Sequence, residues 1–453
     1  MKACRSGSEE TRQHPLPMKP LEGKTAVCFS GRVHHAEKLC QLMTYLHQHG
    51  GLQVRYVTSA FNSYNVDSFE RPLKDKGLPY DLIQDWMTAD LVEEMNRLNQ
   101  PVQQEITKRM FDEDHNIFDT VSSIWTRDAF RDTIECYVLF REYLQDVRPD
   151  LIFVLHEANF WTKILAYWGH RMSIPIVSFQ EGMYRPPGTS KYLQNLFGDI
   201  LTNYSTKVCL WGDYSKSIFL ECGVPENKLS VVGAPHLDEF LPIDREKLRR
   251  IRTKVRQELG IGENQKVILL LLSLSRYWNG DLVGDIRQVS EYVRKQPNMA
   301  LIVKWHPLEH AELVTQVQQL LEPDGQAKPN PSASSGSLII HQHERDLMEL
   351  IQASDLTLIQ NSTSGLECLV FGVPLLELNL DSKPTENSYF ADGVAERIHS
   401  PEDLPQLARF LNGHRLRVIP GMVDRYLHHL LYHLDGNAQS RILDVVSALL
   451  LPA

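Results

Sequence analysis

The chain has 453 residues, more than a single hydrophobic core usually organises, so two domains are expected. Acidic residues (57) outnumber lysine and arginine (47), and the net charge of -10 argues against a general affinity for nucleic acid or anionic lipid. The seven cysteines form no Cys-x-x-Cys pair, which argues against a disulfide framework and a cysteine zinc site.

The start of the chain is not expected to carry a targeting signal. Its first residues, MKACRSGSEETRQ, lack the apolar core of a signal peptide, and no apolar run approaches the ~20 residues that span a bilayer. Residues 1–20 are polar and contain prolines without periodicity, which indicates a disordered tail. These features, with the free cysteines, predict a cytoplasmic protein.

The first half of the chain alternates short apolar runs with amphipathic stretches. This alternation predicts a parallel sheet covered by helices, that is, a Rossmann-like domain over residues 21–240. Between the second and third strands, residues 60–148 have apolar positions at spacings of three and four, which predicts a helical insertion. The predicted strands are 25–30, 53–58, 151–155, 174–179, 208–211 and 229–232.

The second half repeats the pattern after a charged helix at residues 245–259. A second Rossmann-like domain is expected over residues 241–422, followed by helices at 423–453 that pack near the domain junction. The fold class is therefore α/β. The predicted strands of this domain are 266–272, 300–304, 338–341, 356–360 and 374–378.

Polar residues follow the apolar strands of the second domain. Parallel sheets bind ligands outside the carboxyl ends of their strands, so these residues are candidates for binding a nucleotide. His341 and His343 mark the end of a further strand, and Tyr277 and Trp278 lie in a loop where they are candidates for stacking on a sugar. The strand-end candidates are Ser273, Ser275, Arg276, Lys304, His306, Asn361, Ser362, Thr363, Ser364 and Gly365.

Two of these clusters suit phosphate. Residues 362–365 precede a predicted helix, whose free N–H groups and dipole favour an anion. The alternative is that Ser362 or Thr363 only caps that helix. His306, with Lys304 nearby, would supply a donor or positive charge to a departing phosphate; the alternative is that this face is solvated.

The order of these motifs resembles that of nucleotide-sugar enzymes with the GT-B fold, in which two Rossmann-like domains face each other across a cleft. The sequence from Lys304 to Pro307, followed by residues 361–364, is similar to the His-Pro and Ser-rich motifs of bacterial capsule and surface-polysaccharide transferases of the sialyl and Kdo types. The segment at 232–238 also resembles the Gly-x-Pro-x-x-Asp segment that ends the first domain in these folds.

The segment 355–378 is also similar to the UDP-N-acetylglucosamine 2-epimerase clan, although the clan's Ser-Gly-Gly-x-Gln-Glu-Glu turn is only partly present. Matched through Gly372-Val373-Pro374, the resemblance implies that Glu367 holds the ribose hydroxyls. Ser362 and Thr363 then fall near the phosphate-binding turn.

Glu181, at the end of a predicted strand, is the candidate general base, because an inverting transfer needs a carboxylate to take the acceptor's proton. Some sialyltransferases of this fold carry a paired acid followed by glycine at a comparable place, but here the first position is Gln180. Asp238 is an alternative base, and Glu181 could instead pair with an arginine. The acceptor-side candidates are Gly31, His156, Glu157 and Arg185. Of these, His156 and Glu157 are also alternatives for the base.

The resemblance implies an inverting glycosyltransferase that moves a sugar from a CMP- or UDP-linked donor to a glycan or a lipid-linked acceptor, in polysaccharide or glycoconjugate biosynthesis. A lipid-linked acceptor would bring peripheral membrane association; no nucleic acid partner and no cofactor are expected. No metal is expected either, since the only Asp-x-Asp, at residues 112–114, fits a solvated face. Two alternatives stay open, a non-hydrolysing nucleotide-sugar 2-epimerase and a catalytically silent sugar-nucleotide-binding protein.

Overall fold

The structure of the chain is a computed structural model. It describes residues 19–29, 33–58, 73–110, 117–158, 160–184, 198, 201–307, 309–321, 338–342, 345–360, 362–381, 388–413 and 421–451. Three of the predicted site residues, Gly31, Arg185 and Asn361, lie outside these described residues, and so does most of the predicted tail.

The first sheet has seven strands in the order β3-β2-β1-β4-β5-β6-β7. The pairs from β3 to β5 are parallel, and Val27 in the central strand lies opposite Arg55 on one side and Ile152 on the other. Strand bounds are β1 Thr25–Phe29, β2 Gln53–Thr58, β3 Tyr80–Leu82, β4 Leu151–Val154, β5 Ile176–Phe179, β6 Lys207–Leu210 and β7 Leu229–Val231.

The second sheet has six strands in the order β10-β9-β8-β11-β12-β13, and every pair is parallel. Its strands are β8 Lys266–Leu271, β9 Met299–Lys304, β10 Leu338–Gln342, β11 Leu356–Ile359, β12 Leu375–Leu378 and β13 Glu396–Ile398. The two sheets confirm the predicted α/β class and all eleven predicted strands.

Two short edge strands were not predicted. β3 lies in the segment predicted to be helical, and Asp81 within it accepts hydrogen bonds from the Arg55 guanidinium at 2.8 and 2.9 Å. β13 pairs with β12, where Arg397 lies opposite Glu377. Three-residue strands with a charged residue show no apolar run, so only pairing with a neighbour reveals them.

Helices follow most strands. The long helices α2 and α3 pack on each other, and the Arg141 guanidinium contacts both carboxylate oxygens of Glu94 at 2.8 and 2.7 Å. The α-helices are α1 Val33–Tyr45, α2 Ala89–Met110, α3 Ile117–Val147, α4 Phe160–Arg171, α5 Asp213–Glu221, α6 Arg245–Glu258, α7 Leu282–Arg294, α8 Ala311–Leu321, α9 Leu347–Ala353, α10 Gly365–Val370, α11 Gln406–Leu411, α12 Met422–Leu431 and α13 Ala438–Leu450. A π-helical turn spans Leu46–Gly50, and 3-10 turns span Ile83–Trp86, Glu226–Lys228, Pro235–Phe240, Ser275–Tyr277 and Pro401–Asp403.

The chain divides into two compact units. The first contains Met1–Phe179, Asp199–Val208 and Gln439–Ala453, and the second contains Gln180–Gly198 and Cys209–Ala438. The predicted domain limits at residues 240 and 422 were read from the sequence pattern and stay a prediction.

Each unit has its own apolar core. In the first, β1, α3 and α4 bury one cluster that includes Phe140 and Leu165. In the second, alternate residues of β8 enter two different clusters, Leu269 in one and Ile268 in the other, because successive side chains of a strand point to opposite faces. The second sheet is therefore covered on both faces, as a parallel sheet requires.

Helix α13 lies in the first unit, where a Cβ added at Gly50 would come within 2.8 Å of Leu443. Helix α12 lies in the second unit and packs on α5 and α10. Among the described residues, no helix combines the length and apolar character that crossing a membrane requires.

Candidate functional site

The predicted nucleotide-binding clusters follow three neighbouring strands of the second sheet. Strands β9, β8 and β11 are adjacent, and they end at Lys304, Leu271 and Ile359. The segments that follow them therefore emerge at one edge of the sheet, where parallel sheets bind ligands. Lys304 is the last residue of β9 and is buried, and His306 is half-buried in the turn after it.

Glu309, which belongs to none of the predicted motifs, holds the segment after β8. Its buried carboxylate accepts hydrogen bonds from the Ser275 backbone N–H at 2.7 Å and from the Ser275 hydroxyl at 3.0 Å. The Glu309 N–H in turn donates to the His306 carbonyl at 3.0 Å. Glu309 thus joins two predicted binding segments, and Ser275 uses its side chain for this contact.

Ser273 and Arg276 flank that contact. The Ser273 hydroxyl is buried and has no hydrogen-bond partner among the described residues. The Arg276 guanidinium lies 4.8 Å from the centre of the Tyr277 ring, and Tyr277 is exposed. Arg276 is therefore open to a ligand, and the buried Ser273 hydroxyl has an unfilled hydrogen-bonding capacity.

The prediction that Trp278 stacks on a sugar is wrong. The side chain is buried in the core of the second unit, and its indole N–H donates to the buried carboxylate of Asp285 at 2.9 Å. An indole that packs in the core and has its N–H satisfied offers no face to a ligand. Of the two predicted aromatic residues, only Tyr277 is exposed.

Gln360 fixes the next part of the same loop. Its side-chain amide accepts a hydrogen bond from the Asn279 N–H at 2.5 Å and donates to the Asn279 carbonyl at 2.8 Å. Gly280 follows with φ of 114°, and an added Cβ there would lie 2.6 Å from the Asp381 carboxylate. Both the left-handed backbone and the close approach require glycine at this position.

The hydroxyl-rich turn from Ser362 to Gly365 is supported by Tyr389, another residue outside the predicted motifs. The fully buried Tyr389 ring places its hydroxyl 2.8 Å from the Ser362 carbonyl and 3.2 Å from the Thr363 carbonyl. A Cβ on Gly365 would lie 2.5 Å from that ring, so only glycine fits.

Several backbone N–H groups at this turn already donate hydrogen bonds within it. The N–H groups of Gly365 and Leu366 donate to the carbonyls of Ser362 and Thr363, and the Ser364 N–H donates to the Ser362 hydroxyl at 3.3 Å. Helix α10 has only six residues, and its N-cap, Ser364, makes no side-chain capping bond. A ligand would therefore meet hydroxyl groups here more than free helix N–H groups.

The alternative that Ser362 or Thr363 is the helix cap does not hold, because the helix begins after Ser364. Thr363 instead uses its hydroxyl oxygen to accept a hydrogen bond from the Met183 N–H at 3.3 Å. This bond joins segments 180 residues apart in the sequence. It ties the loop that carries Glu181 to the hydroxyl-rich turn, within one unit.

Glu367, in the first turn of α10, pairs with His236. One carboxylate oxygen lies 3.3 Å from His236 Nε2, and the His236 ring lies 5.2 Å from the Trp211 ring. The other oxygen of Glu367, Oε2, is buried and has no hydrogen-bond partner among the described residues. A buried carboxylate oxygen without a donor is costly, so this atom suits a ligand that brings a hydroxyl.

Gln180, where the resemblance puts the first acid of a pair, is buried, and both ends of its side-chain amide make hydrogen bonds. Its side-chain oxygen accepts from the Trp211 N–H at 2.8 Å, and its side-chain nitrogen donates to the Gly182 carbonyl at 2.8 Å. Glu181 next to it is half-buried. Burial raises the pKa of the nearby Tyr184, and the charge of Glu181 adds to that rise.

Two acceptor-side candidates lie in the first unit. Glu157 is completely buried, and its carboxylate accepts hydrogen bonds from the Ser205 hydroxyl at 2.6 Å and from the N–H groups of Tyr204 and Ser205. Burial raises its pKa, although the Ser205 hydroxyl opposes the rise. His156 accepts from the Ala158 N–H at 3.0 Å. The Glu157 contacts join two segments 47 and 48 residues apart, whereas the His156 contact lies within its own loop.

His341, the predicted last residue of β10, lies one residue before the observed end of the strand at Gln342. Its Nδ1 accepts a hydrogen bond from the Trp305 indole at 3.2 Å. Burial lowers the pKa of His341 to about 4, with help from the charge of Arg294. His343 lies outside the described residues.

Within the described part of the chain, no three His, Cys, Asp or Glu side chains are grouped so that they could hold a metal ion. Asp112 and Asp114 fall outside it.

Family models and curated protein sequences show no match to this chain. Solved structures do. The UDP-GlcNAc 2-epimerase from Neisseria meningitidis, bound to UDP-GlcNAc, superposes with a TM-score of 0.57 at 15% identity over 93% of this chain and 99% of that chain. A glycosyltransferase from Rickettsia africae ESF-5 superposes with a TM-score of 0.53 at 13% identity over 95% and 99%.

Anabaena Alr3699/HepE in complex with UDP and glucose superposes with a TM-score of 0.54 at 13% identity over 94% of this chain and 100% of that chain. At such identities the likeness establishes the fold. The chain has the two-domain Rossmann-like GT-B architecture that its motifs predicted, and its structural neighbours include 2-epimerases and a glycosyltransferase.

Proposed function

We propose that this GT-B chain is a glycosyltransferase that binds a nucleotide-sugar in its second unit and transfers the sugar to a glycan or lipid-linked acceptor. The hydrogen bond between Met183 N–H and Thr363 carries the proposal. It ties the loop of the candidate base, Glu181, to the turn of the candidate nucleotide site. A base and a leaving-group site must lie close together for a single displacement step.

The nucleotide half of the site has the chemistry that the donor requires. Glu367 Oε2 is an acceptor for the ribose hydroxyls, which UDP- and CMP-linked donors share. The Ser362 and Ser273 hydroxyls, Arg276 and His306 would contact the phosphate groups. Lys304 and Ser364 belong to the same predicted set of binding residues. Ser275 would act through the shape of its turn, because its hydroxyl is bound to Glu309.

The transfer would proceed by direct displacement at the anomeric carbon. Glu181 takes the proton of the acceptor hydroxyl as its oxygen forms a bond to that carbon. The bond from carbon to phosphate oxygen breaks, and the electron pair leaves with the nucleotide. His306 donates a hydrogen bond to the departing phosphate, where negative charge develops. This scheme inverts the anomeric centre.

A second candidate is a non-hydrolysing nucleotide-sugar 2-epimerase. The pairing of Glu367 with His236 favours it, since it adds a second titratable group beside the turn where a nucleotide-sugar would bind. An epimerase keeps the donor as its only substrate. The two functions therefore differ in whether an acceptor is needed and whether free nucleotide accumulates.

The test is incubation with a panel of UDP- and CMP-sugars, with and without a mixture of glycan and lipid-linked acceptors. Phosphorus NMR measures the released nucleotide, and proton NMR measures the configuration of the sugar. Nucleotide release that depends on acceptor supports the transferase, and an epimerised sugar-nucleotide supports the second candidate. Failure of every donor to bind by calorimetry would refute both.

A further inference from the structure

The loop from Gln180 to Met183 is held on both sides of Glu181. Before it, the Gln180 N–H donates to the Cys209 carbonyl at 2.9 Å. After it, the Gly182 carbonyl accepts from the Gln180 side chain at 2.8 Å, and the Met183 N–H donates to Thr363. The backbone on either side of Glu181 is therefore tied down by hydrogen bonds.

The Gln180 side chain is the centre of this arrangement. It is 4% exposed, and it bridges the Trp211 N–H to the Gly182 carbonyl. One end of the amide must accept and the other must donate. A neutral amide has both groups, whereas an ionised carboxylate can only accept.

We propose that Gln180 is a positioning residue that presents Glu181 to the hydroxyl-rich turn, and that its neutral amide is required for this. The role rests on the proposed function of Glu181. Gln180 touches neither donor nor acceptor in this scheme. It acts by keeping the Gly182 carbonyl turned toward itself, which directs the next N–H, that of Met183, to Thr363.

The test is Gln180→Glu, which keeps the size of the side chain and removes the donor. Above its pKa, the new carboxylate would face the Gly182 carbonyl oxygen and repel it. Below its pKa, the protonated acid could again donate to that carbonyl. A glutamate pKa is about 4.3 in water, and burial raises it, so the contact should return as the pH falls.

The expected result is a transfer rate at least about tenfold below the parental rate at pH 8, with a donor Kd within about threefold of the parental value. The ratio of variant to parental rate should rise toward one as the pH is lowered to about 5.5. Using the ratio removes the parental pH dependence. Gln316→Glu, an exposed position on α8, is the matched control and should keep a ratio near one at every pH.

Amide hydrogen exchange gives a second readout that needs no activity. In Gln180→Glu at pH 8, the Met183 amide should exchange at least about tenfold faster than in the parental protein. The Trp211 amide should stay protected, since a carboxylate still accepts from it. If the proposed function fails because no donor is used, this exchange pattern still decides the role of Gln180.

Three results for Gln180→Glu would overturn the inference. These are a parental transfer rate at pH 8, an unchanged exchange rate of the Met183 amide, and a transfer rate that is lowered by the same factor at every pH. If Gln180→Glu does not fold at pH 8, Gln180→Met replaces it, because methionine has a similar length and makes neither bond. Faster exchange of the Met183 amide in the folded Gln180→Met protein supports the inference, and retained protection overturns it.

Discussion

Glu367 offers the most direct test of the nucleotide site. One of its carboxylate oxygens contacts His236 and the other is buried without a donor in the described part of the chain. If ribose hydroxyls bind there, Glu367→Gln should weaken nucleotide binding while leaving the fold intact. Stability should not fall, because the amide oxygen can keep the His236 contact, and the neutral NH2 group that replaces Oε2 is less costly to bury than an unpaired carboxylate oxygen.

The size of the effect follows from the number of free oxygens. A hydrogen bond to a charged group contributes about 1.5–3 kcal/mol, and one such oxygen is free. At 1.4 kcal/mol per factor of ten, the variant should bind nucleotide about 10-fold to 150-fold more weakly. Because the ribose is common to UDP and CMP, the prediction holds for either base.

The assay is calorimetric titration of the parental and Glu367→Gln proteins with the nucleotide and with its 2′-deoxy and 3′-deoxy forms. In the parental protein, at least one deoxy form should bind more weakly. In the variant, that difference should shrink to within about threefold, because the partner of the hydroxyl is lost. The assignment of Glu367 to the ribose would be refuted if removing a hydroxyl weakened binding equally in both proteins, or if the variant bound the nucleotide with parental affinity.

The remaining predictions address the chemistry and the stability. Glu181→Gln should lower transfer by about 10²-fold with donor affinity near parental, whereas His306→Ala should lower both; a parental rate for Glu181→Gln, measured with the same donor, would move the base elsewhere. Activity should survive EDTA, and a loss restored by Mg²⁺ or Mn²⁺ would contradict the metal-free scheme. Since the pKa of His341 is about 4 in the folded chain and about 6.5 in the unfolded chain, the unfolded chain binds the proton more readily, and stability should fall by up to about 3 kcal/mol as the pH drops from 6.5 toward 4. Urea unfolding of His341→Asn should lack this loss, and an equal loss in both proteins would contradict it.

The pattern of apolar and polar residues along the chain was sufficient to predict the fold. Each of the predicted strands forms a largely apolar strand of three to six residues, and such a segment is most stable when it is buried in a sheet covered by helices. The location of the polar residues could also be predicted, because residues that follow parallel strands lie at the same edge of the sheet. This is why the segments that contain Ser273, His306 and Ser362 could be predicted to emerge at one edge of the sheet.

The residues that hold those strand ends in place could not be predicted in the same way. Tyr389, Glu309 and Gln360 act through hydrogen bonds to the backbone of other segments, 26 or 27, 34 and 81 residues away. Such a bond depends on where a folded loop places a single N–H or carbonyl group. No spacing or periodicity in the sequence encodes that position.

Gln180 shows most clearly which properties the sequence determines and which depend on the tertiary structure. By itself the sequence determined that a glutamine stands where a resemblance leads one to look for an acid, and that Glu181 follows a buried strand. Only the tertiary structure decided that the glutamine amide joins Trp211 to Gly182 and that Met183 reaches Thr363. The physical reason is that burial and paired hydrogen bonds assign a role to a polar side chain, and both arise only when distant segments meet.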